Sequence, residues 1–288
     1  MTVLIAALVV ASACIHPLWN VLIKGDQDRA ASWWLFTVMI SLIGGVVCLV
    51  RGADFLSIGA VLPLLGLSTL GQYVYGLTLI RVYEKGDLSA YYPIIRASPV
   101  GVVILGVLFL GESYDLQVLL GIGLTVFGAF WLQKQPGRRL LDDPKTLLLS
   151  VVCMMGTALY SISDAVAVKT VAPEVLFFWV ETSMIFAYLP VFALMGQRRV
   201  VARAAGLMRA RPVRHIAAGA LAYTSYMLIL AAYSNGGDVA AVTTVRQLSI
   251  PVSVVLGGMV LKEVLLGRRF AASLLLVCGI VLVVLGST

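Results

Sequence analysis

Charged side chains are scarce in this sequence. Asp, Glu, Lys and Arg make up 12% of the 288 residues, against 60% hydrophobic residues and a mean hydropathy of +1.00. A soluble domain carries roughly twice that share of charge, so a water-soluble fold is excluded and an all-α integral membrane protein is indicated. The net charge of +7 does not make a nucleic-acid binder, because the basic residues sit in short links between apolar runs and not on one face of a polar module. Cysteine is rare as well. Cys14, Cys48, Cys153 and Cys278 stand singly in apolar runs, without a CxxC pair or a neighbouring histidine, so they read as small core residues and not as metal ligands. Enzyme signatures are missing too, with no HExxH, GxSxG or P-loop lysine. The chain therefore reads as a non-enzyme with no metal and no cofactor.

What the sequence does contain is a duplication. The stretch Gly86 to Glu112, GDLSAYYPIIRASPVGVVILGVLFLGE, returns without gaps 151 residues later as Gly237 to Glu263, GDVAAVTTVRQLSIPVSVVLGGMVLKE. Shared positions include Gly86/Gly237, Asp87/Asp238, Ala90/Ala241, Ser98/Ser249, Gly106/Gly257 and Glu112/Glu263. The same register holds upstream at Tyr75/Tyr226 and downstream at Gly128/Gly279. Each copy is an acidic turn, then a membrane-length apolar run with one arginine inside it, then a closing glutamate.

Runs long enough for a membrane helix of about 20 residues fall near 2–23, 32–50, 58–80, 88–110, 115–132, 147–168, 174–195, 215–233, 239–261 and 269–286. Ala11-Ser12-Ala13 imitates a signal-peptidase site, but the first run has no basic leader and stays apolar to Ile23, so a retained helix is expected. The expectation is ten transmembrane helices arranged as two five-helix repeats, 1–135 and 146–288. An odd number per repeat inverts the second copy in the membrane, the arrangement common among secondary transporters. Of the 21 Lys and Arg residues, 17 lie in the five links on one side. The links on the other side hold two, Arg51 and Lys169, and two more lie inside runs. The basic side should be cytoplasmic, which puts both termini outside.

The intramembrane polar residues are the candidates for function. Arg96 and Arg246 lie about 10 to 12 Å into runs four and nine, where an unshielded charge costs at least ~2.5 kcal/mol. They are expected to bind substrate. No acidic residue on the first five helices lies at the depth of Arg96, which points to an anionic ligand group. In strict alignment Arg96 matches Gln247 and Arg246 matches Ile95, so the two are near-equivalents about 100° apart around their helices. Pro93, Pro99 and Pro251 break the runs beside them and free backbone carbonyls for a ligand or a hinge. Ser12, His16, Asn20 and Lys24 form one polar stripe on run one; Asp164 on run six matches Asn20. Asp164 and Glu181 are expected to pair with Arg246 or to couple transport to protons, the candidate coupling ion, and His16 is a weaker coupling candidate. Gln72, Tyr75, Tyr223 and Tyr226 are expected as cavity walls. Gly121, Gly123 and Gly128 read as close helix packing.

The ten runs in two repeats, the His16-Pro-Leu-Trp-Asn20-Val-Leu-Ile-Lys24 segment and the paired GD-to-GE and GD-to-KE modules resemble the drug/metabolite transporter superfamily, in its EamA branch. The resemblance implies a central cavity walled by helices 1, 3, 4, 6, 8 and 9, and it usually comes with cytoplasmic termini, against the charge count. Small multidrug relatives depend on an acidic residue in helix 1, whereas here that helix has only His16 and Asn20. The sequence thus points to a secondary transporter, read as an exporter, of a small anionic or zwitterionic metabolite such as an amino acid across the bacterial inner membrane. Its partners would be that small molecule, protons and the lipid bilayer, with no nucleic acid, and it would work as a monomer or homodimer. The alternatives are efflux of cationic or lipophilic compounds through Asp164 and Glu181, and a non-transporting scaffold or receptor.

Overall fold

The computed structural model describes residues 1–24, 26–84, 88–133, 143–252 and 266–286. All regular structure among them is helical, with no strand. The first half supplies α1 (Val3–Lys24), α2 (Arg29–Arg51), α3 (Leu62–Glu84), the short pair α4 (Leu88–Ile95) and α5 (Ser98–Leu105), and α6 (Leu116–Gln133). The second half supplies α7 (Pro144–Ala167), α8 (Pro173–Leu194), α9 (Val200–Ala210), α10 (Pro212–Ser234), α11 (Val239–Val245) and α12 (Leu266–Gly286).

Helix limits follow from local chemistry. The Asp28 carboxylate accepts from the Ala31 N–H at 3.0 Å and starts α2, which ends at Gly52 with φ +63°. Asp143 caps α7 through the N–H groups of Lys145 and Thr146, both at 3.1 Å, with Pro144 in the first turn. The duplicated Gly-Asp pair now has a structural meaning. Asp238 accepts from the Ala241 N–H at 2.7 Å to start α11, and a Cβ on Gly237 would lie 2.7 Å from the Ala232 carbonyl oxygen. Burial pushes the Asp238 carboxyl up and the Ala241 N–H opposes this, while Glu112 of the first module pushes it up further. Gly86, Asp87, Lys262, Glu263 and the end of the ninth run from 253 fall outside the described residues, as does 134–142 of the mid-chain link.

Among the described residues, seven helices are long and apolar enough to cross a membrane, and three apolar helices, Leu116–Leu132, Val239–Val252 and Ala271–Gly286, are shorter. The chain is therefore a multi-pass membrane protein. Run four differs from a single continuous helix: α4 stops at Ile95, α5 resumes at Ser98 with Pro99 in its first turn, and a π turn covers Gly106–Leu110. Run nine is interrupted in the same way by a 3-10 turn at Arg246–Leu248 before the chain is helical again over 249–252. The link after run seven contains the additional helix α9.

The most extensive helix pairings, α3 with α7, α6 with α12, α1 with α10 and α2 with α8, all join one half to the other. In a bilayer, lipid is as apolar as the side chains, so such contacts depend on close backbone approach at small residues and on interhelical hydrogen bonds. At the α3–α7 crossing a Cβ on Gly71 would fall 2.7 Å from the Tyr160 nitrogen, and one on Gly156 2.8 Å from the Gly71 carbonyl oxygen. At α1–α10 the Ser12 hydroxyl donates to the Ser225 carbonyl at 2.7 Å, and that of Ser225 donates to the Ser12 carbonyl at 3.1 Å. Between α6 and α12, Gly128 abuts Leu276 and Gly279 abuts Thr125, two contacts that interchange under the 151-residue offset. Gly121 packs on Gly279 as expected, but Gly123 has nothing within 4 Å and takes no part in the packing.

Candidate functional site

A cavity opens between α1, α2, α3, α7, α8, α10 and the 3-10 turn after α11. Its polar lining is His16, Thr37, Gln72, Glu181, Ser225 and Arg246; the rest is mainly aromatic. The two helix interruptions set the arginines. Arg246 occupies the first position of the 3-10 turn and faces the cavity, its guanidinium carbon 5.4 Å from the centre of the Tyr226 ring. Arg96 occupies the gap between α4 and α5, where its Nη2 donates to the Ser249 hydroxyl of the second half. Arg96 is not among the lining residues.

The sequence pairs Arg246 with Asp164 or Glu181. Among the described residues no ion pair joins Arg246 to either carboxylate. Tyr226 stands between: its ring lies under the guanidinium and its hydroxyl donates to the Asp164 carboxylate. Asp164 is 1% exposed and lies behind the cavity wall, whereas Glu181, 7% exposed, lines the cavity. An aromatic Tyr thus replaces a direct salt bridge, and the cation–π contact leaves the guanidinium's N–H groups directed elsewhere. Its Nε is buried without a hydrogen-bond partner.

The polar stripe of α1 divides by depth. Ser12 closes the α1–α10 crossing, His16 lines the cavity with its ring edge-on to Trp19 at 5.0 Å, and the Asn20 amide donates back to the His16 carbonyl at 3.4 Å, outside the lining. The Lys24 side chain lies outside the described residues. Gln72, Tyr75 and Tyr226 line the cavity as expected, but Tyr223 does not. It is buried behind Phe177, stacked on that ring at 5.5 Å.

Helices α2 and α8 contribute walls that the sequence assigns elsewhere. Trp33, Phe36 and Thr37 come from α2 and Glu181, Met184 and Tyr188 from α8, while among the described residues none of α4 or α5 is in the lining. The resemblance implies walls from helices 1, 3, 4, 6, 8 and 9, and runs two and seven are additions to that set. The Trp33 indole N–H donates to the Tyr188 hydroxyl at 3.0 Å, and Gly76 of α3 leaves room for that hydroxyl. In the sequence Trp33, Phe36 and Tyr188 lie in largely apolar runs, where an aromatic cavity wall and aromatic packing look alike. The signal that could have found them is Glu181 itself, one turn from Met184 and two from Tyr188 on the same face. Tyr75, Tyr160 and Tyr226 form a second aromatic wall, with centroids 6.2 and 6.1 Å apart in turn.

The arrangement has no nucleophile–base pair and no cluster of metal-ligating side chains among the described residues. It presents the Arg246 guanidinium and the Glu181 carboxyl group to one cavity. Residues 3–133 match the model of the EamA-like transporter family, in agreement with the EamA resemblance, which the sequence carries over nearly its whole length. A solved structure, titled only as the crystal structure of a protein, is similar over 99% of this chain and 98% of its own, with a TM-score of 0.73 at 14% identity. At that identity the likeness speaks for the fold. No curated protein matches the sequence.

Proposed function

We propose that this chain, with an EamA-type repeat in its first half, is a secondary transporter and not an enzyme. It moves a small zwitterionic or anionic metabolite of the amino-acid kind outward across the bacterial inner membrane. In this reading it has ten crossings in two inverted five-helix repeats, 1–135 and 146–288, with both termini outside. The cross-half pairing supports the inversion: α3–α7 and α1–α10 are exchanged by swapping the repeats, as are the Gly128–Leu276 and Gly279–Thr125 contacts.

The observation that carries the reading is that Arg246 and Glu181 line one cavity and are not paired with each other. A guanidinium and a carboxyl group buried in one cavity without each other as partner are costly until something satisfies both. A molecule with a carboxylate and an ammonium group does so, with the carboxylate on the Arg246 fork and the ammonium on the Glu181 carboxylate. His16, Gln72 and Tyr75 complete the polar contacts, and the tryptophan, phenylalanine and tyrosine walls take an apolar side chain. Tyr226 and Asp164 hold Arg246 in place. Asp164 is the candidate proton carrier, and Asn20, Tyr223 and Arg96 act from behind the lining.

Counterflow in proteoliposomes tests this. Labelled amino acids should exchange and cationic dyes should not. Dye movement without amino-acid exchange would favour cation efflux through Asp164 and Glu181, and the absence of any flux would favour a non-transporting scaffold.

A further inference from the structure

We infer that α9 and its flanks bind the anionic phospholipid headgroups of the leaflet on which they lie. The helix joins the end of α8 to the start of α10, so both of its ends are fixed at one membrane face, and its 11 residues span about 16 Å. Immediately outside it, Leu194 is 87% exposed and Val213 78% exposed, which puts the adjoining ends of α8 and α10 at the level of lipid. Its inner side is already committed: Val200 and Ala204 are buried with Ala31 and Leu35 of α2. Arg203 pairs with Asp28 and donates to Gln197, and Arg214 pairs with Asp26 at 3.4 Å.

Four arginines remain. Arg198, Arg199, Arg209 and Arg211 are exposed, and none has an ion-pair partner among the described residues. No Asp or Glu occurs between Glu181 and Asp238, so the chain supplies no nearby sequence neighbour to balance them. Nor are they all placed for the sake of the helix. Arg198 and Arg199 stand at its N-terminal end, where the helix dipole disfavours a cation. The remaining partner for four fixed cations at headgroup depth is the phosphate layer, because a juxtamembrane basic cluster is drawn to anionic lipid. A soluble acidic protein would have to reach into the same layer.

The inference does not depend on what the cavity carries. The test uses the full chain in nanodiscs of phosphatidylcholine with and without phosphatidylglycerol, and a photoreactive phosphatidylglycerol as probe. In the wild type the probe should label residues 198–211, unlabelled phosphatidylglycerol should compete and phosphatidylcholine should not, and 1 M salt should weaken the labelling. Labelling should fall by up to about fivefold for each arginine replaced by glutamine, through to R198Q/R199Q/R209Q/R211Q, and the four-lysine counterpart should keep it. Equal competition by the two lipids in the wild type, or undiminished labelling of the glutamine variant, overturns the assignment. If the glutamine variant cannot be purified, the wild-type competition decides alone.

Discussion

At the break in the first half's fourth run, Arg96 reaches across to Ser249, whereas at the break in the second half's ninth run Arg246 turns into the cavity over Tyr226. The two breaks come from one duplicated stretch, and the arginines differ in register by a single residue. On a helix that step is a rotation of about 100°. It separates a contact between the halves from a position on the cavity wall. The divergence goes further on the neighbouring helices. Where α1 brings His16 and Asn20, α7 brings Tyr160 and Asp164, and α8 adds Glu181. A duplicated scaffold can therefore keep its packing symmetric while the acidic groups and the cavity arginine collect in one copy, here the second.

The comparison breaks most easily at its packing. If the halves are equivalent in scaffold, Gly128→Leu and Gly279→Leu should do similar damage, because each forces a side chain into the partner helix's backbone. Overpacking costs about 1 to 3 kcal/mol, and more where backbone must move, so both variants should lose most of the folded yield in detergent. Gly123→Leu should be silent in the same assay. Survival of one variant alone would mean that the α6–α12 contact is not symmetric.

The next effect in size separates the arginines. Arg246→Met should weaken apparent substrate affinity roughly ten- to a hundredfold, the range for losing a hydrogen bond to a charged group, and leave the melting temperature little changed. Arg96→Met should do the reverse, lowering the melting temperature by a few degrees with less than about a threefold change in affinity, and Ser249→Ala should copy it. A large affinity loss for Arg96→Met would return that residue to the ligand site.

Much of this was legible in the residues. Membrane residence and the helix breaks beside the arginines follow from composition and proline placement, and the polar spacing singles out His16, Gln72, Tyr75 and Tyr226, which lie in the cavity lining. The role of Tyr226 between Arg246 and Asp164 was not legible, because a charge pair seen in sequence carries no sign of a ring between its members. The contributions of α2 and α8 stayed hidden because aromatic walls and aromatic packing share one composition. The placement of Tyr223 behind Phe177 depends on a neighbour from another helix that no periodicity reveals. The helix α9 was masked by its arginines, which make the link look like a loop.

A smaller effect, on topology alone, tests the charge count shared by both halves. A C-terminal alkaline phosphatase fusion should be active and a C-terminal fluorescent protein exported by the general pathway should be dark. The opposite pair of results would put the termini in the cytoplasm and reverse the faces of the two repeats without altering the cavity.

The most direct test of the central claim, that Arg246 and Glu181 grip opposite ends of one zwitterion, is competition in counterflow by a transported amino acid, its carboxamide and its N-acetyl derivative. In the wild type both modifications should weaken competition. In Arg246→Met the carboxamide should compete as well as the parent, and in Glu181→Gln the N-acetyl derivative should do so, since each variant lacks the group that the modification would have offended. Equal competition by all three compounds in the wild type would contradict the account.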